Sequence, residues 1–322
     1  MISYITRRIL IALLMLLAAS ILGYGFMKLA PGDYFDRLKQ DSRVSQEYIE
    51  KERVKYRLDS PVYVQYLAWL SRFVRGDFGY SFEYKRPVAQ LIGDRLINTL
   101  ILNIAAITLT WLVAIPLGIY AAVHQYRPSD KVLSSISFMG MSLPHFFLAL
   151  LLLYLFSGEL QWLPAGGLKS VDYDQLTVSG KLADLAAHLA IPVAVLVVGA
   201  LAGLQRIMRG NMLDVLRQQY VTTARAKGLS EHRVIYKHAL RNAVNPLITI
   251  FGYQFASLFS GAALLEIITS YPGLGFLLFN AVRSKDEFLV MGGFMMGALM
   301  LLIGNLLADV LLAVVDPRIS YS

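Results

Sequence analysis

The sequence predicts an all-α, polytopic membrane protein of six transmembrane helices with one extracytoplasmic insert after the first. Three observations predict it. Hydrophobic residues make up 56% of the 322-residue chain and charged residues only 16%, well to the apolar side of a soluble domain. A bilayer core takes about 20 consecutive apolar residues per helical span, and six segments meet or approach that length: 9–30, 96–123, 132–156, 187–205, 243–267 and 287–315. The basic residues also collect in alternate connections, as they do when a chain threads back and forth across a bilayer.

The first span follows Arg7 and Arg8 and reads as a retained anchor, because its apolar run is longer than the core of a cleaved leader. The insert, 31–95, contains 44–58 with helical composition. It also contains 60–74, which predicts a helix with Ser60 as N-cap, Pro61 at its first position and Val64, Leu67, Trp69 and Leu70 along one face. Gly76 and Gly79 of GDFG end that helix. The third span carries Pro144 beside His145, and 157–186 reads as an irregular outer loop containing LPAGG. Between spans five and six, SYPGLGFLLFNAV is apolar but too short to cross, and predicts a short dipping helix that starts after the Pro272-Gly273 break. The chain thus divides into 1–30, 31–95, a five-helix core 96–315 with a cytoplasmic loop 206–242, and a tail 316–322.

Charge placement fixes the expected orientation. An even number of spans puts both termini on one side, and the loops there hold Arg127, Lys131, Arg206, Arg209, Arg217, Arg225, Lys227, Arg233, Lys237 and Arg241. The short opposite loops hold Lys169, Lys181, Arg283 and Lys285. The basic side is the cytoplasmic one, so the net charge of +8 reflects topology and implies no nucleic-acid partner.

The polar stretch 220–242, YVTTARAKGLSEHRVIYKHALRN, interrupts the apolar pattern. Gly228 suits the left-handed residue that ends a helix running from about Asn211, and Ser230 suits the N-cap of a second helix whose first turn holds Glu231. Leu229 and Val234 have the spacing of a hydrophobic staple. The stretch therefore predicts two short helices meeting at a fixed elbow, a shape that fits a groove in a partner and passes its movement on to the spans.

TTARAKGLSEHRVIYKHALRN resembles the cytoplasmic coupling loop of binding-protein-dependent ABC importer permeases, in particular the dipeptide, oligopeptide and nickel branch. The general motif is E-A-A, three residues, Gly, nine residues, I-x-L-P. Ala224, Gly228 and Leu240 match it, while Thr222, Thr223, His238 and Arg241 depart from it as the peptide branch does. The resemblance continues through APGD (30–33), LDSPVYVQYLAWL (58–70), RGDFGYS (75–81), RLINTL (95–100), SLPHFFLALLLLYLF (142–156), LPAGG (163–167), SYPGLG (270–275) and VDPRI (315–319).

This resemblance implies the type I ABC importer permease fold in a bacterial inner membrane, with both termini cytoplasmic. It implies a second, similar permease, two ATP-binding subunits docked below and an extracytoplasmic binding protein that delivers a di- or oligopeptide. Nickel chelate or glutathione would be alternative cargo. ATP and Mg would be held by the partner subunits, with no cofactor in this chain. Ala224, Arg225, Lys227, Gly228, Leu229, Ser230 and Leu240 would form the ATPase-coupling surface, with Arg225 and Lys227 open to acidic groups of the ATPase.

Other function classes lack their chemistry. No HExxH, GxSxG or cysteine occurs, and the only Gly-Lys pair, Gly180-Lys181, precedes Leu182 rather than the Ser or Thr of a phosphate-cradling loop. An ion-coupled secondary transporter would carry internal repeats and mid-membrane carboxylates, whereas the acidic residues here lie in loops or near span ends. Asp309 predicts helix–helix bonding, and Asn98, Asn103 and Asn305 predict the same. Glu266 reads equally as an outer gate or a structural cap, and His145 as a histidine satisfied beside a proline kink. Met291, Met295, Met296 and Met300 read as packing residues and not a metal conduit. Gly199 with Gly203, and Gly293 with Gly297, have the spacing of close helix contacts.

Overall fold

The computed structural model describes residues 2–39, 44–257 and 263–315. In chain order the helices are α1 (Ile2–Leu29), α2 (Tyr34–Leu38), α3 (Gln46–Lys55), α4 (Val62–Phe73), α5 (Val88–Val123), α6 (Pro128–Ser142), α7 (His145–Leu152), α8 (Val178–Leu216), α9 (Gln219–Ala226), α10 (Glu231–Arg233), α11 (Leu240–Ala243), α12 (Asn245–Ser257), α13 (Ala263–Ile268), α14 (Leu274–Ser284) and α15 (Glu287–Val315). Wide π-type turns continue α7 over Leu153–Glu159 and join α10 to α11 over Val234–Ala239.

Among the described residues, four helices are long and apolar enough to span a bilayer, and five if α6 and α7 count as one broken span bent by 100°. Five of the six expected spans thus coincide with such a helix or with the broken pair. The remaining expected span, 243–267, crosses residues 258–262 outside the described set, with α12 and α13 on either side. The Pro144 break is also sharper than a kink, since proline removes a backbone donor and pushes the preceding residue out of helical geometry. The expected start of the second span moves from 96 to Val88, and that of the fourth from 187 to Val178. In both, polar residues of the first turns simply continue the helix beyond the apolar run.

Helices α5 and α8 form the central pair. Gly118 makes their approach possible: a Cβ there would lie 2.6 Å from Met208 Cβ and 2.9 Å from the Gln205 carbonyl oxygen. Without a hydrophobic driving force inside lipid, such close packing and interhelical hydrogen bonds hold the helices together. Trp111 of α5 donates to Gln254 of α12 at 2.6 Å, and Arg8 of α1 pairs with Asp309 of α15 at 3.1 Å, so Asp309 does bond helix to helix. His145 packs directly on Gly199, where a Cβ would lie 1.9 Å from its Nε2, while nothing approaches Gly203. Gly293 likewise sits under Leu278, whereas Gly297 is open.

The segment between α1 and α5 folds onto the ends of α1 and α15. Helix α4 starts at Val62 with Pro61 as its cap, one residue later than expected, and Ser60 contributes a backbone carbonyl to the Gln65 amide instead. Trp69 is buried against Tyr24, Met291 and Met295, which makes those methionines packing residues. Leu67 points outward. A second aromatic group, Tyr34, Phe35, Tyr56, Phe82 and Phe288, stacks edge to face around Ile49, each such pair contributing about 0.5–1.5 kcal/mol beyond area burial.

Candidate functional site

The polar stretch 220–242 forms the elbow that its punctuation predicts, with a different first arm. Helix α8 runs on to Leu216 and breaks at Arg217 and Gln218, so the arm ending at Gly228 is the short α9 rather than a helix from Asn211. Gly228 has φ +74°. Its amide donates to the Arg225 carbonyl at 2.9 Å and the Leu229 amide to the Ala224 carbonyl at 3.4 Å, the paired bonds of a Schellman termination. Leu229 then packs into the same apolar cluster as Ala224 and Val234, so the staple forms.

Ser230 has the extended backbone of an N-cap, but its hydroxyl makes no capping bond. Glu231 reaches across the elbow to Arg225, accepting from Nε at 2.8 Å and from Nη2 at 3.3 Å, and this fork joins the two arms. Arg225, expected to be open to a partner, is thus engaged within the chain. The pair is exposed, and pairs of this kind are worth about 0.2–1 kcal/mol, so a competing carboxylate exchanges into it at small cost.

The elbow has two distinct faces. Val221, Ala224, Val234, Ile235, Ala239 and Ala243 are buried, packed on Ala114, Ile119 and Ala122 of α5 and on Leu204, Met208 and Met212 of α8. Leu240 joins them, half-buried. Asn242 donates to the Tyr220 hydroxyl at 2.8 Å and Asn211 to the Ala243 carbonyl at 3.2 Å, tying the second arm to the first and to α8. Arg225, Lys227, Gly228 and Ser230 face outward, beside exposed Tyr220 and Tyr236. Of the seven coupling residues expected from the sequence, four therefore lie on the open face and Ala224, Leu229 and Leu240 hold it from beneath. Of the inward set, Ala224 and Val234 were expected at the elbow, whereas Val221, Ile235 and Ala239 were missed, although their helical spacing was readable.

At the opposite end of α5, three motifs meet that are far apart in the chain. Glu266, fully buried, accepts from the Thr99 hydroxyl at 2.9 Å and from the Phe276 amide at 3.0 Å. Thr99 in turn accepts from the Leu274 amide at 2.8 Å. Asn98 donates to the Pro272 carbonyl at 2.9 Å, and Tyr271, fully buried, donates to the Asn98 carbonyl at 2.8 Å. Gly167 donates to the Thr269 carbonyl at 3.1 Å, and a Cβ on Gly166 would lie 2.3 Å from that oxygen. RLINTL, LPAGG and SYPGLG thus lock around the start of α14. Glu266 satisfies first-turn amides of α14 and places its charge where a helix N-terminus favours an anion. These are the contacts of a structural cap.

A similar anchor lies at the other end of α14. Asp286, fully buried, accepts from the Ser81 hydroxyl at 2.6 Å, the Glu83 amide at 3.0 Å and the Leu289 amide at 3.2 Å. Burial pushes its carboxyl above the usual aspartate range, against the pull of those bonds. No group of three His, Asp or Glu residues suited to a metal occurs among the described residues.

Comparison with known proteins bears on the whole chain. Residues 114–321 match the family described as "Binding-protein-dependent transport system inner membrane component", and residues 1–103 match its N-terminal companion. The chain is 42% identical to the oligopeptide transport system permease protein AppB of Bacillus subtilis, over all of both chains. It is 36% identical over all of both chains to the glutathione transport system permease protein GsiC of Escherichia coli K12. Among solved structures, the MetNI methionine ABC transporter in inward-facing conformations aligns with a TM-score of 0.50 at 15% identity, covering 69% of this chain and 97% of that one. An amino acid ABC transporter crystallised with histidines gives the same TM-score at 17% identity, covering 72% and 95%. The fold with its central α5–α8 pair, the elbow and the full-length matches agree, and the chain belongs to the family of binding-protein-dependent transport system inner membrane components.

Proposed function

We propose that this chain is one permease half of an ATP-driven importer in a bacterial inner membrane, carrying di- or oligopeptides handed over by an extracytoplasmic binding protein. The observation that carries the reading is the two-faced elbow. Its inner face is one apolar cluster with the ends of α5 and α8, and its outer face is free, basic and aromatic. A body pushing on that face moves the ends of both long helices, because a packed cluster transmits displacement instead of absorbing it.

In this reading two ATP-binding subunits dock on the elbow and hold the ATP and Mg, and this chain is not itself an enzyme. Arg225, Lys227, Gly228 and Ser230 meet the docked subunit, while Ala224, Leu229 and Leu240 carry the load inward. A second, similar permease completes the path, and the exposed apolar faces of α1 and α5 are available to it and to the lipid bilayer. Both termini and the elbow lie in the cytoplasm, as the positive-inside rule requires, and the α2–α4 insert lies outside. Six spans follow if α12 and α13 belong to one crossing. Peptide cargo rests on the full-length relatives named for oligopeptides. Glutathione is the second reading, favoured by a full-length relative named for it.

Gentle extraction of the tagged protein, followed by mass spectrometry of stoichiometric companions, tests the proposal. A second permease and P-loop ATPases are the expected companions. Recovery of the chain alone, under conditions that keep a control ABC complex whole, overturns it.

A further inference from the structure

Between α6 and α8, near the elbow, lies a small cavity of about 130 Å³ that the coupling role does not use. Ser134, Ser137 and Met141 line it from α6, and Gln205, Arg206 and Arg209 from α8. Gln205 is 2% exposed, its Oε1 accepts from the Ser137 hydroxyl at 3.0 Å, and its buried Nε2 has no acceptor among the described residues. Leaving such a donor unmatched costs about 1–3 kcal/mol, so the site favours any occupant that brings an acceptor oxygen.

The charge around the cavity names the occupant's sign. Arg209 is neutralised by Asp130, to which it donates from Nε at 2.8 Å and from Nη2 at 2.7 Å. The Tyr126 amide donates to the same carboxylate at 3.0 Å. Arg206 is exposed at the cavity's edge, and no carboxylate among the described residues pairs with it. The free donors are thus an uncharged buried amide and an unneutralised guanidinium, and the neighbouring acid is already committed.

We infer that this cavity binds an oxyanion of the phosphate kind, with Gln205 Nε2 and the Arg206 guanidinium as its donors. Guanidinium groups favour phosphate oxygens, which accept paired hydrogen bonds. Two sources supply this chemistry, the headgroup of an anionic phospholipid or free phosphate. Exposed Ile136, Met139 and Met141 on α6 give acyl chains an apolar surface beside the cavity, as in basic pockets between membrane helices. Bound there, the anion would sit on α8 beside the Asp130–Arg209 pair, facing Ser134 and Ser137 of α6.

Native mass spectrometry of the full chain tests this, with the protein released from nanodiscs of equal phosphatidylglycerol and phosphatidylcholine. The expected result is retained phosphatidylglycerol in preference to phosphatidylcholine, reduced about tenfold by Arg206→Gln, the order of a lost charge-assisted bond, and kept by Arg206→Lys. Gln205→Leu should reduce it further. Because Arg206 is exposed, its variants test the site even where Gln205→Leu does not fold. Displacement of the lipid by millimolar inorganic phosphate, or phosphate binding without lipid preference, assigns the site to the free anion. Equal retention of both lipids, unaltered by Arg206→Gln and without phosphate binding, overturns the inference.

Discussion

The Thr99 hydroxyl donates to Glu266 at 2.9 Å while accepting the Leu274 amide at 2.8 Å, so one side chain of α5 holds both the carboxylate that caps α14 and the first amide of that helix. Thr99→Val keeps the shape and removes the hydroxyl, leaving a buried amide and a carboxylate each one partner short. Each such loss costs about 1–3 kcal/mol. Thermal unfolding of the detergent-solubilised protein should show Thr99→Val clearly destabilised and Thr99→Ser close to the parent. Equal destabilisation by both would mean that the methyl group, not the hydroxyl, matters.

Gly273 gives a second handle on the same latch. A Cβ there would meet the Glu266 carboxyl group at 2.2–2.5 Å, and moving that carboxyl away breaks its bonds to Thr99 and Phe276. Gly273→Ala should therefore reduce stability and yield of folded protein, whereas Gly203→Ala, where nothing lies within 4 Å, should be neutral or slightly stabilising, since alanine favours a helix by about 1 kcal/mol over glycine. Size-exclusion profiles and unfolding temperatures of the two variants make the comparison; a neutral Gly273→Ala would show that the carboxyl is not locked.

What the sequence reveals and what it hides divide along the range of the interactions. The apolar runs, the Gly228 elbow and the short α14 were legible because a bilayer length, a left-handed turn and a Pro-Gly break are each written in consecutive residues. The staple was legible for the same reason. The Arg225–Glu231 fork was not legible, because nothing in local propensity pairs two charges six residues apart across a left-handed turn. Glu266 could be read two ways until Thr99, which lies 167 residues away, was brought beside it. The Ser81–Asp286 contact and the Asp130–Arg209 pair were equally out of reach, since the first joins two connecting segments and the second two separate helices, with no periodic signal between the partners.

Asp286 predicts a pH effect whose sign follows from its environment. Burial raises its folded carboxyl above the usual aspartate range, while the unfolded group titrates near about 3.9. Between those values the folded state holds a proton that the unfolded chain releases, so its contribution to stability falls as pH rises through the window and levels off above it. Asp286→Asn removes that slope. It also turns one carboxylate oxygen into a donor facing the Glu83 or Leu289 amide, so the variant should be less stable at neutral pH by about 1–3 kcal/mol. Unfolding temperatures measured from pH 4 to 8 for both proteins check the two effects together, and an unchanged slope in Asp286→Asn would assign the titration elsewhere.

Gly228 allows the elbow itself to be tested apart from the fold. Its φ of +74° is open to glycine, but nothing lies within 4 Å of the position of a Cβ, so a substitution meets backbone strain alone. The left-handed conformation costs an ordinary residue about 1–2 kcal/mol, most for a β-branched one, and Asn tolerates it best. Gly228→Val should insert and accumulate normally yet shift the angle between α9 and α10, lowering peptide uptake, whereas Gly228→Asn should retain most of it. The check is labelled-peptide uptake, at matched membrane abundance, in cells whose only copy is the variant. The pairing of the two variants separates angle from bulk: if Val and Asn lose uptake alike, the open face is sensitive to any side chain at 228, and if neither does, the Schellman turn is not what holds the coupling surface in place.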